Sequence, residues 1–111
     1  MIVRQGDVLL MRCKGKGKGA IPPDATEVPR DNGRVVLAYG EVTGHAHAFG
    51  ERHVALFRAG DEGASTAYLR IDGLPATLRH EEHAPIKLPA GTYRVIRQRE
   101  YTPEEIRNVE D

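Results

Sequence analysis

The chain has 111 residues, of which 40% are hydrophobic and 29% charged, as expected for one globular domain rather than two. Lys plus Arg equals Asp plus Glu, at 16 each, and this balance argues against a nucleic-acid binder or a membrane-surface binder. No apolar run approaches the roughly 18 residues that a membrane span needs. Because the only cysteine cannot form an intramolecular disulfide, we expect a cytoplasmic protein in reducing conditions.

Short runs with alternating apolar residues follow one another along the chain, and turn signals rich in glycine, proline and aspartate separate them. The runs typical of strands cover residues 2–13, 34–42, 52–58, 66–72, 74–80 and 91–98, with a short apolar piece at 86–89. Turns recur about every eight to twelve residues, which is the spacing of all-β domains. The sequence therefore predicts an all-β fold over residues 1–111, a small barrel or sandwich of about seven to eight short strands.

Two segments depart from the strand pattern. Residues 14–33 begin with alternating lysine and glycine and continue with three prolines, so we expect a flexible loop there. Residues 102–105 read Thr-Pro-Glu-Glu, a capping box, and Ile106 and Val109 then form a small apolar stripe. We therefore expect one short C-terminal helix over residues 102–110.

The histidines are the residues that point most directly to chemistry. All five lie within residues 45–83, and four of them form two pairs. His45 and His47 are two residues apart, so an extended strand would place both imidazoles on one face. His80 and His83 follow about 35 residues later, and neighbouring strands could bring the two pairs together.

This pattern predicts a bound divalent metal, namely zinc, nickel, iron or manganese. The predicted ligands are His45, His47, His80 and His83, with Glu51 as a nearby carboxylate. A metal with an open position would activate water or oxygen for a small-molecule substrate, but the sequence leaves open whether the protein is an enzyme. In the alternative, the histidines are structural groups at strand ends.

Four sequence blocks carry a resemblance that spans the whole chain. They are RQGDVLL at residues 4–10, GEVTGHAH at 40–47, HEEHAPI at 80–86 and the run from Leu88 to Arg107. With these blocks, the chain resembles a family of short, uncharacterised bacterial and phage-borne proteins. That resemblance implies no activity.

A second resemblance concerns the histidine segment alone. The spacing His45-x-His47-x-x-x-Glu51 is similar to the first metal motif of the cupins, which are small β-barrels that hold a divalent metal. The resemblance implies that these three residues are ligands and that catalysis is metal-dependent. The second cupin motif has a histidine after Pro-x-Gly. Here residues 89–91 match Pro-x-Gly, but the second histidine pair precedes them.

A third pattern leads to a different function. Residues 6–10, a glycine-rich segment and residues 36–42 follow the order of elements in co-chaperonin barrels, to which the chain is similar in this respect. That resemblance implies a non-enzymatic binding or assembly module, a homo-oligomer or a partner-binding protein, in which the histidines are structural.

Overall fold

Ten β-strands and no helix make up the regular structure of residues 1–13, 21–40, 42–60 and 65–97, which this computed structural model describes. The strands are β1 Ile2–Gln5, β2 Val8–Arg12, β3 Thr26–Glu27, β4 Val35–Tyr39, β5 Ala46–Phe49, β6 Val54–Ala59, β7 Thr66–Ile71, β8 Ala76–His80, β9 His83–Leu88 and β10 Gly91–Arg97. No helix within these ranges is long and apolar enough to cross a membrane.

The strands form two antiparallel sheets. One sheet has six strands in the order β1-β2-β10-β7-β6-β3, and the other has four in the order β4-β5-β8-β9. The prediction of an all-β fold is confirmed. A closed barrel is wrong, because the outermost strands of each sheet have no hydrogen-bonded neighbour on their outer side among the described residues.

The main core lies between the two sheets. Strand alternation supplies it, as in β7, where Ala67, Leu69 and Ile71 are buried and their neighbours are not. Phe49 from the four-stranded sheet and Tyr93 from the six-stranded sheet are its largest fully buried side chains. A second, smaller cluster is formed by other residues of the six-stranded sheet: Leu9, Ile96, Ile2 and Met11.

A tight turn at the start of the chain places one acidic side chain near the end of the last strand. The expected single strand over residues 2–13 is in fact two strands, paired from Gln5↔Val8 outward. Gly6 has φ +59° as the first residue of the two-residue turn, a conformation that favours glycine. Asp7 therefore stands at the hairpin tip, beside Arg97 of β10, which pairs with Val8.

The two segments expected to lack strands are described only in part. Residues 14–20 of the expected loop and the whole expected helix 102–110 lie outside the described residues. The remainder of the loop includes β3, which pairs with β6, and Val28 N–H donates to the Leu56 carbonyl. The strand count exceeds the prediction partly because β3 and β5 do not stand out as strands in the sequence.

Two polar side chains tie the sheets together at opposite sides of the sandwich. Where β1 meets β9, Gln5 Nε2 donates to the carbonyls of Leu78 and Ala84, each at 3.0 Å. Where β6 meets β4, Arg30 Nη2 donates to the carbonyls of Glu51 and Val54, at 2.6 and 2.9 Å. We call these the Gln5 seam and the Arg30 seam.

Candidate functional site

The two histidine pairs come together at one end of the four-stranded sheet. The ring centroids of His47 and His80 are 4.3 Å apart, and those of His80 and His83 are 4.7 Å apart. His47 and His83 are stacked at 5.8 Å, and His45 meets His80 edge-on at 6.1 Å. We call these four side chains the imidazole cluster.

The strands explain why residues far apart in sequence meet here. His47 lies in β5, and His45 directly precedes that strand. His80 ends β8 and His83 begins β9, and the two are paired across the intervening two-residue turn. Because β5 and β8 are neighbours, with Ala48 opposite Arg79, the hairpin tip lies beside the first pair.

His47 is the buried member of the cluster, and its hydrogen bonding fixes its tautomer. It is only 3% exposed, and its Nδ1 lies 2.9 Å from Gln5 Oε1. The amide nitrogen of Gln5 already donates to two backbone carbonyls, so Oε1 must be the acceptor. His47 Nδ1 therefore carries a hydrogen, and Nε2 of the neutral ring is left with a bare lone pair.

Burial keeps that ring neutral. Removal from water, and next to it the neighbouring His80, lowers the pKa of His47 from 6.5 to about 4, although the Asp7 carboxylate acts in the opposite direction. Asp7 Oδ1 lies 3.5 Å from His47 Nε2. Two acceptor atoms thus face each other near neutral pH with no hydrogen between them.

The carboxylate of Asp7 is ionised and held in place from its other side. Arg97 Nη2 and Nε donate to Asp7 Oδ2 at 2.8 and 3.2 Å. Partial burial alone would raise the pKa of Asp7, but the hydrogen bond and charge of Arg97 more than offset it, and the pKa is lowered. This ion pair uses only Oδ2 of Asp7, so Oδ1 faces His47. Arg97 Nη1 does not take part in the ion pair.

His80 and His45 are engaged differently. Glu82 N–H donates to His80 Nδ1 at 3.0 Å, so the neutral ring carries its hydrogen on Nε2 and has no free lone pair. His45 Nδ1 lies 3.3 Å from Glu82 Oε2, at the exposed side of the cluster. Both residues therefore have hydrogen-bond partners within the β8–β9 turn.

Glu51 lies apart from this arrangement. Its Oε2 accepts a hydrogen bond from Thr77 N–H at 2.8 Å, and its carbonyl accepts from Arg30 at the Arg30 seam. It shares a neighbouring cavity with His80. The partner of the Glu51 carboxylate is thus the backbone of Thr77, which lies in β8 three residues before His80.

Two glycines allow the backbone to approach the imidazoles closely. A Cβ atom at Gly6 would lie 2.9 Å from His83 Nε2 and 3.1 Å from His47 Cε1. A Cβ atom at Gly40 would lie 3.2 Å from His80 Nε2 and 3.1 Å from His45 Cβ. Side chains longer than hydrogen at these positions would push into the cluster from two sides.

Sequence reasoning found the histidines but missed three residues that set their chemistry. Gln5, Asp7 and Arg97 surround His47, and they come from the two ends of the described chain. Gln5 and Asp7 belong to the block RQGDVLL, and Arg97 belongs to the run from Leu88 to Arg107. Nothing in the spacing of these residues connects them to His47. Within the described ranges, no three His, Cys, Asp or Glu side chains are already grouped as a ready-made metal site.

Comparison with known proteins identifies a family. No curated protein and no solved structure matches the chain significantly. Residues 4–98 match the profile of a family described as a domain of unknown function, DUF8820. The expectation of an uncharacterised family is confirmed, and the chain belongs to the DUF8820 family.

Proposed function

We propose that the protein binds one divalent metal ion between Asp7 and His47, with His83 as the third ligand. The observation that carries the proposal is the 3.5 Å approach of Asp7 Oδ1 to His47 Nε2. Both atoms present lone pairs, because Asp7 is ionised and the hydrogen of His47 is on Nδ1. Such a contact is repulsive, and a cation shared by the two atoms would make it attractive.

The separation of the two atoms suits a shared ion. With metal–ligand bonds of about 2.0–2.2 Å and a tetrahedral angle, nitrogen and oxygen ligands stand about 3.4 Å apart. That is close to the 3.5 Å found here. Ligating histidines also donate the N–H of their other ring nitrogen to an acceptor, which fixes the tautomer. For His47, Gln5 Oε1 is that acceptor.

His83 is the nearest remaining imidazole with the freedom to complete the set. Its ring is stacked on His47 at 5.8 Å, and the residue is exposed, so its side chain can turn toward the ion. His80 would first have to release Glu82 N–H. We therefore assign His80 and His45 to the wall of the site, and Asp7 takes the carboxylate role first expected of Glu51.

Two imidazoles and a carboxylate suit zinc, and also iron, nickel or manganese. Bound there with an open position, the ion would act as a Lewis acid and lower the pKa of a coordinated water. Two further residues would orient the ligands of the ion: Gln5 would orient His47, and Arg97 would orient Asp7.

Isothermal titration of zinc into tag-free protein pretreated with a chelator tests the proposal. We expect one equivalent to bind, and we expect His47→Ala or Asp7→Asn to weaken binding at least 100-fold, because each removes a ligand. His53→Ala is the matched control, since His53 Nε2 pairs with the Pro75 carbonyl outside the cluster. Equal zinc affinity in all four proteins, or no saturable binding, would overturn the proposal.

A further inference from the structure

A cavity opens on the solvent side of the proposed ion position. Its volume is about 470 Å³, within the range of small-molecule sites. Asp7, His47 and His83 are among its lining residues, so an ion held by them would face the cavity. A molecule bound there could therefore coordinate the ion directly.

One lining residue of the cavity is suited to binding an oxyanion. Arg97 is the one arginine or lysine among the cavity-lining residues that the structure describes, and its side chain is only 17% exposed. Its Nε and Nη2 are used by Asp7 Oδ2, while Nη1 takes no part in that pair. A guanidinium edge beside a metal ion favours a carboxylate, which can contact both. Glu82 also lines the cavity, but its carboxylate lies against His45.

Two other lining residues are apolar and exposed. Tyr39 and Val42 line it and are 61% and 50% exposed, which places both among the large hydrophobic residues at the surface. The Tyr39 hydroxyl donates to Asp31 Oδ2 at 2.6 Å. Exposed apolar side chains beside polar groups are typical of ligand-binding clefts.

We propose that this cavity binds a small monocarboxylate with an apolar body. Its carboxylate bridges the ion and Arg97 Nη1, and its apolar body packs on Tyr39 and Val42. This inference rests on the proposed metal function, because the ion supplies half of the carboxylate contact.

Cobalt(II)-loaded full-length protein provides the test, because its visible absorption bands report both metal binding and changes in coordination. Benzoate, acetate and benzamide are titrated separately. We expect benzoate to shift the bands saturably, acetate to do so with about tenfold weaker affinity because it lacks the apolar body, and benzamide to have no effect. Val42→Ala should weaken benzoate binding about threefold and leave acetate unchanged. Leu74→Ala is the control, because Leu74 is 65% exposed and is not part of the cavity.

The outcomes separate the two proposals. Cobalt bands that form normally but do not respond to benzoate would leave the metal function standing and overturn the carboxylate site. Equal affinity for benzoate and acetate would overturn the apolar contact. Equal affinity for benzoate with and without cobalt, measured by titration calorimetry because the metal-free protein has no cobalt bands, would overturn the bridging. If no cobalt bands form, the metal function fails, and this inference fails with it.

Discussion

The Gln5 seam and the Arg30 seam both join the two sheets through a polar side chain, but they differ in how the remaining polar atoms are paired. Each closes the sandwich with one polar side chain that donates to backbone carbonyls from separate parts of the chain. At the Arg30 seam, the donor Arg30 Nη2 faces the acceptor carbonyls of Glu51 and Val54. At the Gln5 seam the amide also accepts from His47, and two further acceptors, His47 Nε2 and Asp7 Oδ1, are left facing each other.

The difference is the basis for placing the proposed metal site at the Gln5 seam. A seam that serves only stability pairs its polar atoms, because unpaired buried groups cost free energy. The acceptors facing each other at the Gln5 seam do not contribute to stability in the absence of a cation. We therefore interpret the Arg30 seam as structural, and the proposed metal ion would contribute positive charge only at the Gln5 seam.

The largest expected effect comes from removing the amide at the Gln5 seam. Gln5→Met keeps the side-chain length but leaves the His47 Nδ1 hydrogen and two backbone carbonyls without their partner. We expect the free energy of unfolding to fall by about 3 kcal/mol, at about 1 kcal/mol or more for each group. Urea denaturation measures this, together with a 10–100-fold loss of zinc affinity from the loss of orientation.

Arg30→Met is the matched control for that change. Two of the three Arg30 hydrogen bonds are exposed, so we expect a loss below about 1 kcal/mol and no change in zinc affinity. Equal destabilisation by the two substitutions would remove the distinction between the seams.

The pH dependence of the metal-free protein gives an effect of similar size. The pKa of His47 is about 4 in the folded protein against 6.5 for a free side chain, so the unfolded chain takes up a proton first as the pH falls. Stability should therefore decline between pH 6.5 and 4, by up to about 3 kcal/mol from this residue. Denaturation of the wild type and His47→Gln across this range isolates the contribution, and parallel curves would contradict it.

A smaller effect separates the Gly6 contact with the cluster from its backbone conformation. Gly6→Ala and Gly73→Ala each place a side chain at positive φ, +59° and +72°, which costs about 1 kcal/mol in both. Only at Gly6 would the new Cβ meet the imidazoles, since nothing lies within 4 Å at Gly73. We expect Gly6→Ala alone to weaken zinc binding, about tenfold, as titration of both variants will show. A similar loss in Gly73→Ala would mean that backbone strain, not the contact, is responsible.

The strand architecture could be predicted because its causes are local. The alternation of buried and less buried residues in β7, and the turn at Gly6, depend only on residues that are neighbours in the sequence. The choice between barrel and sandwich could not be made, because it depends on whether distant edge strands pair. Strand β3 has only two residues, and all four residues of β5 are buried, so neither strand shows alternation.

The histidines of the site were predictable from their clustering, but the division of roles among them was not. Which imidazole keeps a free lone pair depends on Gln5 for His47 and on the Glu82 backbone for His80. These contacts span 42 residues in the first case and 2 in the second, and no periodicity encodes either of them. Glu51 matched a motif by spacing, whereas its carboxylate is used by the Thr77 backbone.

The proposed ion site has ligands on both sides of the gap between the sheets, since Asp7 extends from the β1–β2 hairpin, whereas His47 and His83 belong to β5 and β9. An occupant held by both would resist any motion that pulls the two sheets apart. By mass action, its stabilising effect would grow with the logarithm of its free concentration. Resistance to proteolysis, and with it cellular lifetime, would then report how much metal the surroundings supply.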